Sequence, residues 1–335
     1  MQIQHEVSLK AHNTFGIDVK AQKFIEVTQL TELQELLIHT TEPILILGGG
    51  SNVLFTQDYE GLVIKIKLKG IDILKEEGDS VWLKVAAGEV WHELVLHCVE
   101  NGYGGIENLS LIPGTVGAAP MQNIGAYGVE IREVLESVEA VQRSTGEIQV
   151  FNNESCNFGY RESVFKNIHK DAYVITAVTL KLSKNPSFNT SYGAIQDTLK
   201  ANEVDTLSLK AISDAVCQIR NSKLPNPAEI GNAGSFFKNP VIPQAQFEAL
   251  KERFPNIVGY PLPEAQVKVP AGWLIEQSGW KGKRFGNIGV HARQALVLVN
   301  YGGGNGAEIR KLSQDIQASV LEKFGIEIKP EINIV

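Results

Sequence analysis

The sequence has few cysteines, no long apolar run and no excess of positive charge. Cys98, Cys156 and Cys217 are far apart, and their odd number argues against a disulfide framework or a C-x-x-C metal site. No apolar run approaches the roughly 18 residues of a membrane span, and the N-terminus has no basic-then-apolar signal pattern. A net charge of −7 disfavours a general nucleic-acid-binding surface. We therefore expect a cytoplasmic protein with no membrane insertion, no nucleic-acid partner and no metal site, whose cysteines are small buried apolar side chains.

The 335 residues are 43% hydrophobic and 21% charged, which is normal for a globular enzyme of two or three domains. Period-two and short apolar runs predict strands at 43–47, 61–65, 81–87, 134–142, 147–151, 173–182 and 295–299. Helical spacing predicts helices at 91–100, from Leu209 to near Lys223, at 244–254, at 270–278 and from Ile309 to Phe324. Another helix is predicted to begin at a capping box formed by Thr31 and Gln34. The predicted fold class is α+β.

Glycine is concentrated in three loops. One is the run 48–50 after a buried strand, and another is IPGTVGAAPMQNIGAYGVEI at 112–131. Ordering so many glycines costs backbone entropy, which a chain accepts where backbone N–H groups must approach a ligand, most often a phosphate. A single glycine cluster is as consistent with a tight turn, but the two together favour a large phosphate-bearing cofactor. Because the G-x-G-x-x-G frame is missing, a Rossmann site is disfavoured. The third cluster, 302–306, is interpreted as a flexible connector.

Three polar residues have either a functional or a plain structural interpretation. Arg161, within 158–166, offers a fork of donors to an anion, although a surface ion pair with Glu162 is favoured on composition alone. Ser235 lies in flexible backbone before two aromatics and could donate a proton, or could simply occupy a turn. Glu331, near the C-terminus, is a solvated carboxylate unless the tail folds back into a site. Arg220 and Lys223, three apart, share a helix face.

Several motifs carry a resemblance that spans nearly the whole chain. They are NTFGI at 13–17, LILGGGSNVLF at 45–55, IPGTVGAAPMQNIGAYGVE at 112–130, FGYRESVFK at 158–166, GNAGSFFKNP at 231–240, AGWLIEQSG at 271–279 and KPE at 329–331. Together they resemble the UDP-N-acetylenolpyruvoylglucosamine reductase family of flavoenzymes, in the family's order. The segment NPSFNTSYGAIQDTL at 185–199 further resembles the form with an extra tyrosine loop, in which Tyr192 would be the tyrosine.

The resemblance implies a vanillyl-alcohol-oxidase-like FAD-binding fold in two subdomains, followed by a C-terminal α/β substrate domain. The expected division is 1–70 for the first FAD-binding subdomain, with 326–335 as a tail that can return to it. The second FAD-binding subdomain is expected at 71–223 and includes the tyrosine loop, and the substrate domain is expected at 224–325.

The resemblance also implies the reaction. NADPH would pass a hydride to non-covalently bound FAD, and the reduced flavin would pass it to the enolpyruvyl β-carbon of UDP-N-acetylglucosamine enolpyruvate. The product, UDP-N-acetylmuramate, is a peptidoglycan precursor. A monomer is expected.

Site residues follow from the same resemblance. Arg161 and Glu331 match residues that stabilise the developing charge, and Ser235 matches the serine that protonates the α-carbon. The residues expected to bind the substrate are Tyr192, Arg220, Lys223, Asn239 and Lys268. Those expected at the cofactor are Gly48, Gly49, Gly50, Ser51, Asn52, Pro113, Gly114, Thr115, Gly117, Ala118, Asn123, Gly125 and Ala126, with Ser51, Asn52 and Asn123 as side-chain donors.

One departure and two rival functions accompany this interpretation. Members with the tyrosine loop often carry an arginine where this chain has Asn333, which puts one carboxylate or phosphate contact in doubt. An FAD oxidase of the same fold would use oxygen instead of the enolpyruvyl substrate. A flavin- or nucleotide-sugar-binding protein would catalyse nothing, and the presence of Arg161, Ser235 and Glu331 in their motifs argues against it.

Overall fold

The computed structural model describes residues 2–335 and forms two compact units. Unit 1 comprises the described residues up to Val7, Ala21–Gly49 and Glu60–Ser222. Unit 2 comprises Ser8–Lys20, Gly50–Tyr59 and Lys223–Val335. The division into 1–70, 71–223 and 224–325 stays a prediction.

Short strands and helices alternate along the chain. The strands are β1 Gln4–Ser8, β2 Lys20–Val27, β3 Ile44–Leu47, β4 Val53–Leu54, β5 Tyr59–Ile66, β6 Ile71–Glu77, β7 Ser80–Ala86, β8 Gly125–Ala126, β9 Val129–Glu130, β10 Leu135–Gln142, β11 Ile148–Asn152, β12 Tyr173–Ser183, β13 Val241–Pro243, β14 Tyr260–Leu262, β15 Gln266–Lys268, β16 Arg284–Phe285, β17 Ile288–Val290, β18 Leu298–Asn300 and β19 Asn333–Ile334. The α-helices are α1 Leu30–His39, α2 Trp91–Glu100, α3 Gly193–Ala201, α4 Leu209–Lys223, α5 Gln244–Arg253, α6 Ala271–Gln277 and α7 Gly306–Phe324.

Unit 1 is built on two sheets with a shared apolar core. One sheet has the order β1-β2-β5-β3, in which β3 pairs in parallel with β5. The other is antiparallel, with the order β11-β10-β12-β7-β6. The apolar faces of α1 and α2 pack into the same core, through Leu33 and Leu94 among others. The strands predicted at 134–142 and 147–151 are confirmed as β10 and β11, which pair as a hairpin through the turn at Ser144-Thr145-Gly146.

The long α4 helix packs against α3 in unit 1. Ile212, Val216 and Ile219 recur at helical spacing on α4, and they contact Ile195 and Leu199 of α3. The predicted helix from Leu209 to near Lys223 is confirmed. This packing fixes the polar side of α4 and therefore the position of Arg220.

Unit 2 contains two three-stranded sheets and the C-terminal tail. The sheets have the orders β13-β15-β14 and β16-β17-β18, and α7 is their longest helical neighbour. In the tail, Asn333 pairs with Val53 and Ile334 with Leu54, so β19 runs parallel to β4. The last strand thus lies beside the segment that follows the first glycine run.

The structure corrects three local predictions. Helix α1 begins at Leu30 with Gln29 as N-cap and no side-chain cap bond, so the capping box predicted at Thr31 is wrong. The side chain of Gln34 instead donates to the carbonyl of Gly146 at 2.7 Å. The predicted strand at 295–299 is shifted to Leu298–Asn300. Cys98 and Cys156 are fully buried, and burial raises the pKa of each thiol to about 12, but Cys217 is only half-buried.

None of the helices within residues 2–335 is both long enough and apolar enough to cross a membrane.

Candidate active site

The two glycine loops of unit 1 come into direct contact. A Cβ added to Gly48 would lie 2.5 Å from Oγ1 of Thr115, and one added to Gly49 would lie 3.0 Å from Cα of Gly114. Glycine is therefore needed at both positions by the close approach of the backbones. Gly49 and Pro113 are exposed, so the joined loops present accessible backbone at the end of β3. This cradle suits a phosphate-bearing cofactor such as FAD, and bulkier residues would fill it.

The loop continues into unit 2, where other contacts fix its shape. Gly50 has a φ of 66°, and a side chain there would collide with the carbonyl of His12. Its own carbonyl accepts a hydrogen bond from the amide of Thr14 at 3.0 Å. Asn333 donates from both its backbone N–H and its Nδ2 to the carbonyl of Asn52, each at 3.1 Å. At the position where an arginine was expected, Asn333 therefore ties the C-terminal tail to the segment that follows the glycine run.

Some predicted cofactor residues already use their N–H groups within the protein. The amide of Gly117 donates to Ala87 O at 2.9 Å, and that of Ala118 donates to Thr115 O at 3.0 Å. Any contact of these two residues with a cofactor would use atoms other than the amide hydrogen.

The side-chain donor role predicted for Asn123 is not supported. Its Nδ2 donates to Oε2 of Glu130 and to the carbonyl of Gly159, both at 3.0 Å. A primary amide has two hydrogens, so neither remains for a cofactor. Asn123 contributes to the geometry of the neighbouring loops instead.

Arg161 lies in a turn that rests on the second glycine loop. Its Nη2 donates to the carbonyl of Gly125 at 2.7 Å, and its Nη1 lies 3.4 Å from that of Asn123. The turn is held by Ser163, whose hydroxyl donates to Met121 O at 2.7 Å. A Cβ on Gly125 would lie 2.9 Å from Cγ of Glu130 and 3.1 Å from Nη1 of Arg161, so the glycine lets both side chains approach the backbone closely. The carboxylate of Glu162, the alternative partner considered for Arg161, accepts a hydrogen bond from Asn167.

Arg220 and Tyr192 meet through Tyr127, a residue that the sequence did not single out. The Nε of Arg220 donates to Leu111 O at 3.2 Å, and its guanidinium also bonds the Tyr127 hydroxyl. The ring of Tyr127 meets that of Tyr192 edge to face, with centroids 5.2 Å apart. Burial lowers the pKa of Arg220. The interaction with Tyr127 opposes this shift, and the positive charge of Arg161 adds to it more weakly. Arg220 therefore holds both ends of the glycine loop, at Leu111 and at Tyr127.

The start of this loop is also fixed from α2. The amide of Leu111, which has a φ of 58°, donates to Nδ1 of His92 at 3.0 Å. Burial, and secondly the charge of Arg220, lower the pKa of His92 and so favour the neutral imidazole that can accept this bond.

The predicted tyrosine loop is only partly a loop. Tyr192 is the N-cap of α3, so the second half of 185–199 is helical. The part before it is bound to the glycine loop, because Nδ2 of Asn108 donates to Tyr127 O and to Asn189 O. Lys223, the last residue of α4, is exposed.

Unit 2 brings the motifs of Ser235 and Glu331 side by side. The amide of Glu331 donates to Phe236 O at 2.8 Å, and that of Lys238 donates to Lys329 O at 2.9 Å. Phe236 and Phe237 are each 1% exposed, whereas Ser235 is exposed. The buried aromatics anchor this segment and leave the serine at the surface beside the tail.

The other two predicted substrate residues also lie in unit 2. Oδ1 of Asn239 accepts a hydrogen bond from the amide of Ala271 at 2.9 Å, at the start of α6. Lys268 is half-buried in β15, opposite Val241.

Comparison with known proteins identifies the family. A model of the C-terminal domain of UDP-N-acetylenolpyruvoylglucosamine reductase matches residues 226–335, and a model of an FAD binding domain matches residues 21–152. A curated UDP-N-acetylenolpyruvoylglucosamine reductase from Amoebophilus asiaticus is 54% identical over 338 residues and covers 100% of both chains. The chain belongs to the UDP-N-acetylenolpyruvoylglucosamine reductase family.

Other members of the reductase family support the same assignment. The UDP-N-acetylenolpyruvoylglucosamine reductase of Flavobacterium johnsoniae is 52% identical over 337 residues, again covering 100% of both chains. The crystal structure of the reductase (MurB) from Thermus caldophilus matches with a TM-score of 0.71 at 25% identity, covering 100% of this chain and 99% of that one. The predicted family, oxidoreductase class and α+β FAD-binding fold are confirmed.

Proposed function

We propose that this chain reduces UDP-N-acetylglucosamine enolpyruvate to UDP-N-acetylmuramate, with NADPH as reductant and non-covalently bound FAD as hydride carrier. Membership of the reductase family and the FAD-binding domain support the proposal. The observation that carries it is the hydrogen bond from Glu331 to Phe236. This backbone bond brings Glu331 to the segment of Ser235 across 95 positions of sequence.

The joined glycine loops are the proposed cofactor site. Gly48, Gly49, Gly114 and Thr115 would hold the FAD pyrophosphate. Gly50, Ser51 and Asn52 stay predicted cofactor residues from the family resemblance. When bound, FAD would supply two-electron chemistry, through which a hydride moves from NADPH to the β-carbon of the substrate.

The chain's own residues would stabilise the developing negative charge and supply a proton. Addition of hydride to the β-carbon breaks the carbon–carbon π-bond and leaves an enolate-like charge on the α-carbon and carboxylate. Arg161 is proposed to stabilise this charge with its fixed donors. Glu331, whose backbone amide bonds Phe236 O, is proposed to act with Arg161 at this charge. Ser235 then gives its hydroxyl proton to the α-carbon and recovers one from solvent.

Binding of the nucleotide sugar is assigned to polar groups outside this chemistry. Lys223, Asn239 and Lys268 are proposed to contact the substrate directly, with Lys223 the exposed cation among them. Tyr192, at the edge of Tyr127, is proposed to close over the substrate as part of the tyrosine loop. The cytoplasmic location and the monomeric state remain predictions.

Replacement of Ser235 by alanine tests the proton donor. FAD-loaded Ser235→Ala should still be bleached by NADPH under anaerobic conditions, but the enolpyruvyl substrate should no longer restore the flavin absorbance. Ser313→Ala is the matched control, because the Ser313 hydroxyl only bonds Arg310 O within α7. Equal rates of substrate reduction in the Ser235 variant and the control would show that Ser235 is not the donor.

A further inference from the structure

We infer that Asn123 is a positioning residue for Arg161, and not the cofactor ligand that its place in the glycine loop predicts. The inference rests on the proposed function, which places Arg161 at the developing negative charge.

The first support is the way Asn123 holds the Arg161 turn. Its Nδ2 donates to the carbonyl of Gly159 at 3.0 Å, and the turn is closed by reciprocal amide bonds between Gly159 and Glu162 at 3.0 and 3.3 Å. Arg161 sits inside this closed turn at a φ of 56°. A non-glycine residue keeps that conformation only where its surroundings over-determine it, and the bond from Asn123 is one such constraint.

The second support is that Asn123 is itself rigidly held. It is 0% exposed, and its second amide hydrogen is donated to Oε2 of Glu130, which also pairs with Nε of Arg132 at 2.8 Å. Its Oδ1 accepts from the amide of Arg132 at 3.3 Å. A buried, fully bonded amide of this kind transmits the position of one loop to the next.

The third support is that the guanidinium and the turn share the same platform. The carbonyls of Gly125 and Asn123 face Nη2 and Nη1 of Arg161. The segment 123–125 thus holds both the turn that contains Arg161 and the guanidinium of Arg161. Loss of the Asn123 side chain would free the turn while leaving the carbonyls in place, so the guanidinium would shift. A shift of about 1 Å at a reacting centre can cost about 100-fold in rate.

Asn123→Gly is the informative variant. Asn123 has a φ of 44°, which glycine tolerates without strain, so the substitution removes the side-chain bonds and keeps the backbone. Asn153→Gly is the matched control, because Nδ2 of Asn153 also donates to two backbone carbonyls, those of Arg132 and Leu135, both at 2.7 Å.

Two measurements test the inference. In Asn123→Gly, hydrogen exchange of the amides of Gly159 and Glu162 should speed up about tenfold or more, whereas Asn153→Gly should leave them unchanged. FAD content and bleaching by NADPH should stay at the wild-type level, and flavin reoxidation by the enolpyruvyl substrate should slow by about 10- to 100-fold. Unchanged exchange, or loss of FAD in proportion to the loss of activity, would overturn the inference.

A double variant separates the positioning role of Asn123 from the proposed role of Arg161. If Asn123 acts through Arg161, adding Asn123→Gly to Arg161→Ala should cause no further slowing, because the group being positioned is gone. Additive losses would contradict the positioning role. If Arg161→Ala alone leaves substrate reduction unchanged, the proposed role of Arg161 is wrong, and the exchange measurement still decides whether Asn123 holds the turn.

Discussion

Gly48→Ala tests whether the two glycine loops are joined as the structure has them. The new Cβ would lie 2.5 Å from Oγ1 of Thr115, where ordinary contacts begin at 3.4 Å, so Thr115 must leave its rotamer or the loops must separate by nearly an ångström. Of the three staggered χ1 rotamers of Thr115, two place a γ atom on the side of Gly48 and one places Hβ there. Overpacking of this kind costs about 1–3 kcal/mol. Urea unfolding of the FAD-free protein should show that loss, and FAD occupancy of the purified protein should fall with it.

Two second-site changes make the result specific. Thr115→Ala removes both γ atoms and should recover most of the lost free energy in the Gly48→Ala background, with a coupling of about 1–3 kcal/mol. Thr115→Val keeps a γ atom in the contact and should recover little. Full stability of Gly48→Ala, or equal recovery by both threonine variants, would refute the contact between the loops.

Two further predictions concern the ends of the second glycine loop. Arg220→Lys should cost about 1–3 kcal/mol in urea unfolding, because lysine lacks the Nε–H that bonds Leu111 O and the planar guanidinium that reaches the Tyr127 hydroxyl at the same time. Lys223→Ala on the same helix should stay within about 0.5 kcal/mol and weaken only binding of the nucleotide sugar. Equal destabilisation by the two changes would contradict the loop-holding role of Arg220. Since the folded state lowers the pKa of His92 below its ordinary value of 6.5, its stabilisation is complete above about pH 6.5 and is lost as the pH falls through the folded pKa. His92→Asn, whose Oδ1 can still accept from Leu111, should therefore flatten the decline in the urea midpoint between about pH 7 and about pH 5, and an unchanged decline would assign the acid sensitivity to other groups.

Local sequence patterns predict the helices and strands where the spacing of apolar residues and the flanking turn residues indicate the same element. The spacing of Ile212, Val216 and Ile219 fits α4, and alternation fits β12, because burial on one face dictates both patterns. The capping pattern at Thr31 does not reveal that the N-cap is Gln29, two residues earlier, so that the helix begins at Leu30. The interpretation of 302–306 as a flexible connector leaves out a helix cap within it. Asn305 and Glu308 exchange side-chain bonds at the start of α7, and the Asn-x-x-Glu spacing was visible in the sequence.

The site was predictable only where a family resemblance supplied the roles. Ser235 and Glu331 become neighbours through backbone bonds that no local pattern encodes. The contact of Arg220 with Leu111 spans 109 positions and depends on how α4 packs. Asn123 looked like a cofactor donor because it lies in a glycine loop. Its partners Gly159 and Glu130 are set by tertiary structure, and they support the positioning role that we propose for it.

Anaerobic mixing of the yellow, FAD-loaded protein with NADPH and then with UDP-N-acetylglucosamine enolpyruvate tests the proposed activity most directly. The account predicts that NADPH bleaches the flavin band and that the enolpyruvyl nucleotide sugar restores it without oxygen, with formation of UDP-N-acetylmuramate. Bleaching that only oxygen reverses, or a flavin that NADPH does not reduce, would contradict it.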